Sequence, residues 1–197
     1  MTSLEAALGA ISAELSRLHV PFALVGGLAV SVRTEPRFTR DADLVVALET
    51  DAAAEALIHA LGARGFLIAA VVEQEAVGRL ATVRLSLSAE PQAPVVDILF
   101  ASSGIESEIV AEAEPLDLLP GLRMGVARVG HLVAMKVLSR DDVRRPQDLV
   151  DLRGLLRVAS PDELARARLS LELISSRGYH RGRDLTAEMN RLFTPSG

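Results

Sequence analysis

Residues 22–46 read FALVGGLAVSVRTEPRFTRDADLVV. The apolar run at residues 22–25, bounded by Pro21 and Gly26, is typical of a short buried strand. The glycine pair that follows predicts a turn, residues 28–33 predict a short helix, and residues 41–46 predict a second strand. This order of elements predicts an α/β fold with a small mixed sheet flanked by helices.

The turn between the first strand and the helix consists of Gly26 and Gly27. A glycine pair accepts positive φ angles and lets the backbone come close to a ligand, because no Cβ intervenes. The first N–H groups of the following helix would point at any anion near the turn. Taken alone, the pair fits equally well a turn that only ends a strand, so its meaning depends on the residues around it.

Asp41 and Asp43 are the charged residues of the second strand. Residues i and i+2 of a strand face the same side, roughly 7 Å apart at Cα, so the two carboxylates project together. They repel each other unless a cation lies between them, and clustered carboxylates select Mg²⁺ or Mn²⁺. Asp97 lies in another apolar run, at residues 94–100, where burial requires a metal or an arginine partner. We expect its strand beside the Asp41–Asp43 strand.

The glycine pair, the Asp-x-Asp motif and the later lone Asp97 resemble the nucleotidyltransferase superfamily of DNA polymerase beta. Further motifs are similar to its AbiEii/AbiGii toxin-like branch, over roughly residues 20 to 157. They are Arg37-x-Thr39-x-Asp41-x-Asp43-Leu44, the helical run at residues 134–140 with Lys136, and RPQDLVDL at residues 145–152 with Asp148. One departure is Gly27, where many relatives carry a phosphate-binding serine.

The resemblance implies a nucleotidyltransferase fold, a divalent metal and an NTP substrate. It implies metal ligands at Asp41, Asp43 and Asp97, and catalytic roles for these three, Lys136 and Asp148. The neighbouring Asp151 lies one helical turn from Asp148, and either aspartate could instead pair with a nearby arginine. The candidate contacts to the nucleotide phosphates are Gly26, Gly27, Arg33, Arg37, Thr39 and Arg40.

The resemblance leaves the acceptor of the nucleotide open. The toxin branch implies the 3′ end of transfer RNA as acceptor and a cognate antitoxin as partner. Related minimal forms imply that the acceptor is a protein, which is adenylylated, and that this chain is an antitoxin beside a toxin. Antibiotic-modifying relatives imply an aminoglycoside as acceptor. A non-catalytic nucleotide-binding module is the alternative from a different class, and the presence of all three carboxylates argues against it.

The composition indicates a cytoplasmic globular protein. Cysteine is absent, the hydrophobic fraction is 49%, and no apolar run reaches the ~18 residues of a membrane span. We expect a nucleotidyltransferase core at residues 1–127 and a helical part packed on it at residues 128–197. Residues 118–197 hold 14 basic and nine acidic side chains, a net charge of +5 that suits an anionic substrate or simply a solvated surface.

Lys136 is the single lysine among 21 basic residues. Its compact ammonium suits a phosphate oxygen in a tight site, and we expect it on the exposed or cleft side of a helix, where it contributes little to stability. Periodicity and capping signals predict the remaining elements. Helices are expected at residues 3–18, 51–61, 102–111, 128–140 and 146–156. A further helix is expected from residue 160 onward, and a last short helix near the end of the sequence. Strands are expected at residues 66–72 and 81–87 and within residues 116–127.

Overall fold

The computed structural model describes residues 3–36, 39–75, 77–90, 93–119, 121–141 and 146–193. The strands are β1 (Phe22–Val25), β2 (Asp41–Val46), β3 (Leu67–Gln74), β4 (Arg79–Ser86), β5 (Val95–Leu99), β6 (Glu114–Leu119) and β7 (Leu122–Val126). The helices are α1 (Ser3–Arg17), α2 (Gly26–Arg33), α3 (Asp51–Gly62), α4 (Glu106–Ala111), α5 (Val129–Ser139), α6 (Pro146–Val158), α7 (Pro161–Ser176) and α8 (Leu185–Arg191).

The strands form one mixed sheet of seven, in the order β3-β4-β5-β2-β1-β7-β6. The pairs β2–β5 and β1–β7 are parallel, and the other neighbours are antiparallel. Along β2, Ala42 and Leu44 are fully buried, whereas Asp41 and Asp43 alternate with them on the opposite face. The sheet therefore carries a row of polar side chains on an otherwise apolar centre.

Helices cover the sheet and bury its aliphatic core. Helices α1 and α4 pack on β2 and neighbouring strands, α3 packs on β4, and α2 packs on β1 and β2. Helix α2 is in turn contacted by α5 and α6, and α7 packs along α5. Since α5 and α6 lie against α2, the helical part after residue 127 is held on the core, and the division at that residue stays a prediction.

The predicted mixed α/β architecture is confirmed, including strands within residues 116–127, which form the hairpin of β6 and β7. Helix α7 is capped by Ser160, whose side chain accepts a hydrogen bond from the backbone N–H of Glu163. Two helix starts differ from the predictions. Helix α2 begins at Gly26 itself, because Gly26 takes a φ of +65° and turns the chain directly out of β1. Helix α4 begins at Glu106 rather than at residue 102.

The segment before α4 is a loop held by the buried Glu106. Oε1 of Glu106 accepts hydrogen bonds from the backbone N–H and the hydroxyl of both Ser102 and Ser103. These bonds satisfy the loop's donors without helical geometry. Glu106 thereby fixes the chain just after β5, the strand that carries Asp97.

Strand β3 forms one edge of the sheet and is exposed along most of its length. Its exposed large apolar side chains are Leu67, Ile68, Val71 and Val72. None of the helices in the described parts of the chain combines the length and apolar character needed to cross a membrane.

Candidate active site

The predicted carboxylates meet in a row that runs across the sheet. In the parallel pairing of β2 and β5, Asp43 is the Cα partner of Asp97, and in the antiparallel pairing of β4 and β5, Asp97 is the partner of Arg84. Neighbouring strands are about 4.8 Å apart, so Asp43 and Asp97 are as close as adjacent strands allow. Asp41 lies two residues before Asp43 on the same face. The expected position of the Asp97 strand beside β2 is confirmed.

Gly26 continues this row beyond Asp43. Val25, the last residue of β1, is the Cα partner of Asp43, and Gly26 follows it. A Cβ at residue 26 would overlap the carboxylate of Asp43. The N-cap residue of α2 is Val25, whose side chain has no acceptor for the N–H groups of the first helical turn. The start of α2 therefore presents backbone donors next to a carboxylate.

The electrostatic surroundings of Asp43 are unusual for an aspartate. The pKa of Asp43 is raised to about 6, mainly by burial and in addition by the negative charges of Asp97 and Asp41. The positive charges of Lys136 and Arg84 act against this rise. Carboxylate charge is therefore concentrated around Asp43, with the ammonium of Lys136 within electrostatic reach.

Asp97 makes the strongest ion pair of the row. Nε of Arg84 donates to Oδ1 of Asp97 at 2.8 Å, and Nη2 donates to Oδ2 at 2.7 Å. The hydrogen bonds to Asp97 raise the pKa of the Arg84 guanidinium further above its ordinary value. Across the described residues, no three Asp, Glu or His side chains are already arranged to hold a metal ion. The arginine partner that the sequence left open for Asp97 is present, and Arg84 was not among the predicted site residues.

Lys136 lies between two aspartates of α6. Its Nζ is 2.7 Å from Oδ1 of Asp148 and 2.8 Å from Oδ2 of Asp151. Ser139 donates its hydroxyl to the other oxygen of Asp148, and Gln147 donates to the other oxygen of Asp151. Both aspartates are engaged through both oxygens, so they hold the ammonium in one position. The motif selected only Asp148, and the structure adds Asp151.

Of the two positions expected for Lys136, the exposed side of the helix is wrong, and the cleft side stays a prediction. Its side chain is only 13% exposed, and those of Asp148 and Asp151 are 9% and 1% exposed. The reason is that α6 packs on α5 and covers this part of the helix. Among the described residues, the lysine therefore belongs to a largely buried charge cluster with one positive and two negative groups.

A cleft of about 770 Å³ opens beside the row of aspartates. Residues from six stretches of the chain line it, among them Asp43, Asp97, Arg84, Ser139 and Arg183. Arg183 donates to the carbonyl oxygens of Leu138 at 2.9 Å and Val137 at 3.0 Å. It thereby satisfies the last carbonyls of α5 and fixes the end of the helix that carries Lys136.

The predicted phosphate contacts have different environments. Arg33 does not join the carboxylate row, because its guanidinium donates to Val126 O, Ala127 O and Glu114. The hydroxyl of Thr39 donates to Asp41 O at 3.1 Å and so supports the start of β2. Arg40 is exposed beside β2, and Arg37 lies outside the described residues.

A family model described as nucleotidyl transferase AbiEii toxin, type IV toxin–antitoxin system, matches residues 8–196. Among curated protein sequences, none matches the chain.

Solved structures share the fold at low sequence identity. An antigenic nucleotidyltransferase-like protein from Paracoccidioides brasiliensis has a TM-score of 0.55 at 19% identity, and the match covers 95% of this chain and 92% of that one. The antibiotic-resistance factor ANT(2″)-Ia, solved with adenylyl-2″-tobramycin, has a TM-score of 0.56 at 16% identity, covering 89% and 99%. The solution structure of the same factor has a TM-score of 0.54 at 16% identity, and the match covers 94% of each chain. The predicted nucleotidyltransferase fold is confirmed.

Proposed function

Because the chain belongs to the family of AbiEii nucleotidyl transferase toxins of type IV toxin–antitoxin systems, and is thereby a nucleotidyltransferase, we propose that it transfers a nucleotide from an NTP to the 3′ end of transfer RNA. The observation that carries the proposal is the row of Asp41, Asp43 and Asp97 within electrostatic reach of the part-buried Lys136. The toxin-like motifs and the net positive charge of residues 118–197 support an RNA acceptor.

The carboxylates fit a divalent metal by their chemistry. Asp43 and Asp97 are partners on adjacent strands, Asp41 shares their face, and all three offer the oxygen ligands that Mg²⁺ and Mn²⁺ prefer. We assign the three as the residues that would hold it. When bound, divalent metal supplies Lewis-acid stabilisation of the attacking and leaving oxygens in an in-line phosphoryl displacement.

The start of α2 would bind the triphosphate. Its first-turn N–H groups, beginning at Gly26 and Gly27, point out of the helix, and the positive end of the helix dipole favours phosphate there. Glycine at position 27 leaves this contact to the backbone alone. In the transfer, an acceptor hydroxyl oxygen forms a bond to the α-phosphorus, and the bond from that phosphorus to the β-phosphate oxygen breaks. Pyrophosphate leaves with the electron pair.

Lys136, Asp148 and Asp97 complete the proposed machinery. The ammonium of Lys136, fixed by Asp148 and Asp151, would stabilise negative charge that grows on the phosphate oxygens. Asp97 lines the cleft and would accept the proton of the attacking hydroxyl. A cognate antitoxin is the partner expected for the family.

The test is to incubate the protein with each α-labelled NTP, Mg²⁺ and total transfer RNA, and to separate RNA from protein. Label on the RNA 3′ end is the expected result. Asp43→Asn should abolish it, whereas Asp117→Asn, at an exposed aspartate on β6, should not. Label on lysate proteins or on an added aminoglycoside would identify a different acceptor, and no label on any of these would contradict transferase activity.

A further inference from the structure

The Arg84–Asp97 pair lies where the proposed metal site has to form. Both oxygens of Asp97 accept from Arg84, at 2.8 and 2.7 Å, and Nη2 of Arg84 is also 4.0 Å from Oδ2 of Asp41. The guanidinium therefore contacts one proposed metal ligand and lies near a second. Both Arg84 and Asp97 line the cleft.

The two partners differ in how freely they can move. The side chain of Arg84 is 44% exposed, whereas that of Asp97 is 13% exposed and stands in the middle of the sheet. Arg84 can leave the pair by a rotamer change into the cleft, with no change to the core, since its neighbours Val83 and Leu85 point to the buried face. Asp97 is fixed by its strand.

Because both oxygens of Asp97 accept from Arg84, a divalent cation that binds Asp97 has to displace at least one of these bonds and is repelled by the guanidinium. We propose that Arg84 is an internal counter-ion of the site, which holds Asp97 in the absence of metal and yields it when metal and a triphosphate arrive together. This inference rests on the proposed function. The triphosphate supplies the negative charge that the guanidinium contacts after it leaves Asp97.

The exchange couples the two ligands. Metal alone has to displace Arg84 from Asp97 without offering the guanidinium a new partner, so metal alone binds weakly. Metal with triphosphate provides that partner, so the two ligands strengthen each other's binding. Removing the guanidinium should make the site accept metal alone and should weaken this coupling.

The experiment measures Mn²⁺ binding by calorimetry and by electron paramagnetic resonance, with and without inorganic tripolyphosphate. Arg84→Gln should bind Mn²⁺ alone at least about tenfold more tightly than the unsubstituted protein, because a nearby positive charge is lost. Tripolyphosphate should then improve Mn²⁺ affinity much less in Arg84→Gln. Arg84→Lys keeps the positive charge but lacks the planar guanidinium with its paired donors. Its Mn²⁺ affinity should lie between those of Arg84→Gln and the unsubstituted protein.

Arg123→Gln is the matched control, since Arg123 and Asp117 form a cross-strand ion pair of the same kind on β7 and β6. Its Mn²⁺ affinity should equal that of the unsubstituted protein. Equal or weaker Mn²⁺ binding by Arg84→Gln, with an unchanged circular dichroism spectrum, would overturn the inference. If the unsubstituted protein binds no Mn²⁺ even with tripolyphosphate, the proposed metal site itself is wrong.

Discussion

Gly26 lies directly against the carboxylate of Asp43. A Cβ on residue 26 would overlap Oδ2 of Asp43 and would lie 2.8 Å from its Cβ, and Gly26 also adopts a φ of +65°. The turn that opens α2 and the strand that carries the aspartates can therefore approach this closely only with glycine here. The proposed phosphate site and metal site depend on the same contact.

Gly26→Ala should damage both stability and transfer. Alanine pays about 1–2 kcal/mol for the left-handed backbone, and the overlap adds to this because Asp43 must move. Gly78→Ala is the matched control, with a φ of +60° and no heavy atom within 4 Å of the added Cβ. Urea unfolding of both variants should show a larger loss for Gly26→Ala. Equal losses would mean that Asp43 moves at no cost.

Asp43→Asn should abolish transfer without destabilising the metal-free fold. The substitution removes a negative charge that burial and the Asp97 and Asp41 carboxylates disfavour, as the raised pKa of Asp43 shows. Thermal unfolding without metal should give a Tm equal to or above that of the unsubstituted protein. A full transfer rate in Asp43→Asn would remove Asp43 from the proposed site.

Lys136→Ala should reduce transfer by about 10²-fold or more, in the range seen when a transition-state donor is lost. It should also cost about 3–5 kcal/mol of stability, because buried carboxylates of Asp148 and Asp151 lose their cation. Lys136→Arg should recover little transfer, since its planar fork is larger.

A triple variant separates the two effects of Lys136. Lys136→Met with Asp148→Asn and Asp151→Asn removes the cation and both carboxylates of the described cluster together. Its urea midpoint should recover relative to Lys136→Ala, while its transfer stays low. If transfer recovered with the midpoint, Lys136 would act only on the fold.

Binding of transfer RNA should weaken steeply with salt. The acceptor is expected to contact the basic C-terminal part, and each phosphate neutralised releases counterions. For three or more phosphate contacts, the slope of log affinity against log salt should be about −2 or steeper. Filter binding between low and physiological salt measures this slope. A flat dependence would favour a small-molecule acceptor.

His131 should make the fold less stable in mild acid. Its side chain is buried in α5, burial lowers its pKa, and its Nδ1 has no hydrogen-bond partner among the atoms of the described residues. The unfolded chain therefore takes up a proton near the ordinary pKa of 6.5 while the folded protein resists it, so stability is present above this pH and falls as the pH drops below it.

His131→Gln should flatten this decline, measured as the difference in unfolding free energy between pH 7.5 and pH 5.5. His59→Gln, at an exposed position of α3, is the control and should leave the difference unchanged. An unchanged difference in His131→Gln would show that another group causes the acid sensitivity.

The local parts of the site could be predicted because backbone geometry sets them. Asp41 and Asp43 share a face through the two-residue repeat of a strand, and Gly26 was marked as a turn by its chemistry. Asp97 was singled out because a charge within an apolar run needs a partner. Each inference used a few consecutive residues.

Arg84, Asp151 and the environment of Arg33 could not be predicted in the same way. Arg84 reaches Asp97 through the register of β4 on β5, and Arg33 reaches the carbonyls of Val126 and Ala127 far along the chain. In the sequence, Arg84 alternates with Val83 and Leu85, which indicates a polar face of the strand but does not identify the partner of Arg84. Register depends on turns and bulges elsewhere in the sheet.

The sequence by itself determined which residues are candidates for the chemistry, since strand and turn periodicities follow from local sterics. Only the tertiary structure decided how their charges are paired. Packing of α6 on α5 places Lys136 between Asp148 and Asp151. The register of β4 on β5 places Arg84 opposite Asp97, so that the two form an ion pair. The physical reason is that ion pairs form between groups brought together by long-range burial, which no short stretch of sequence encodes.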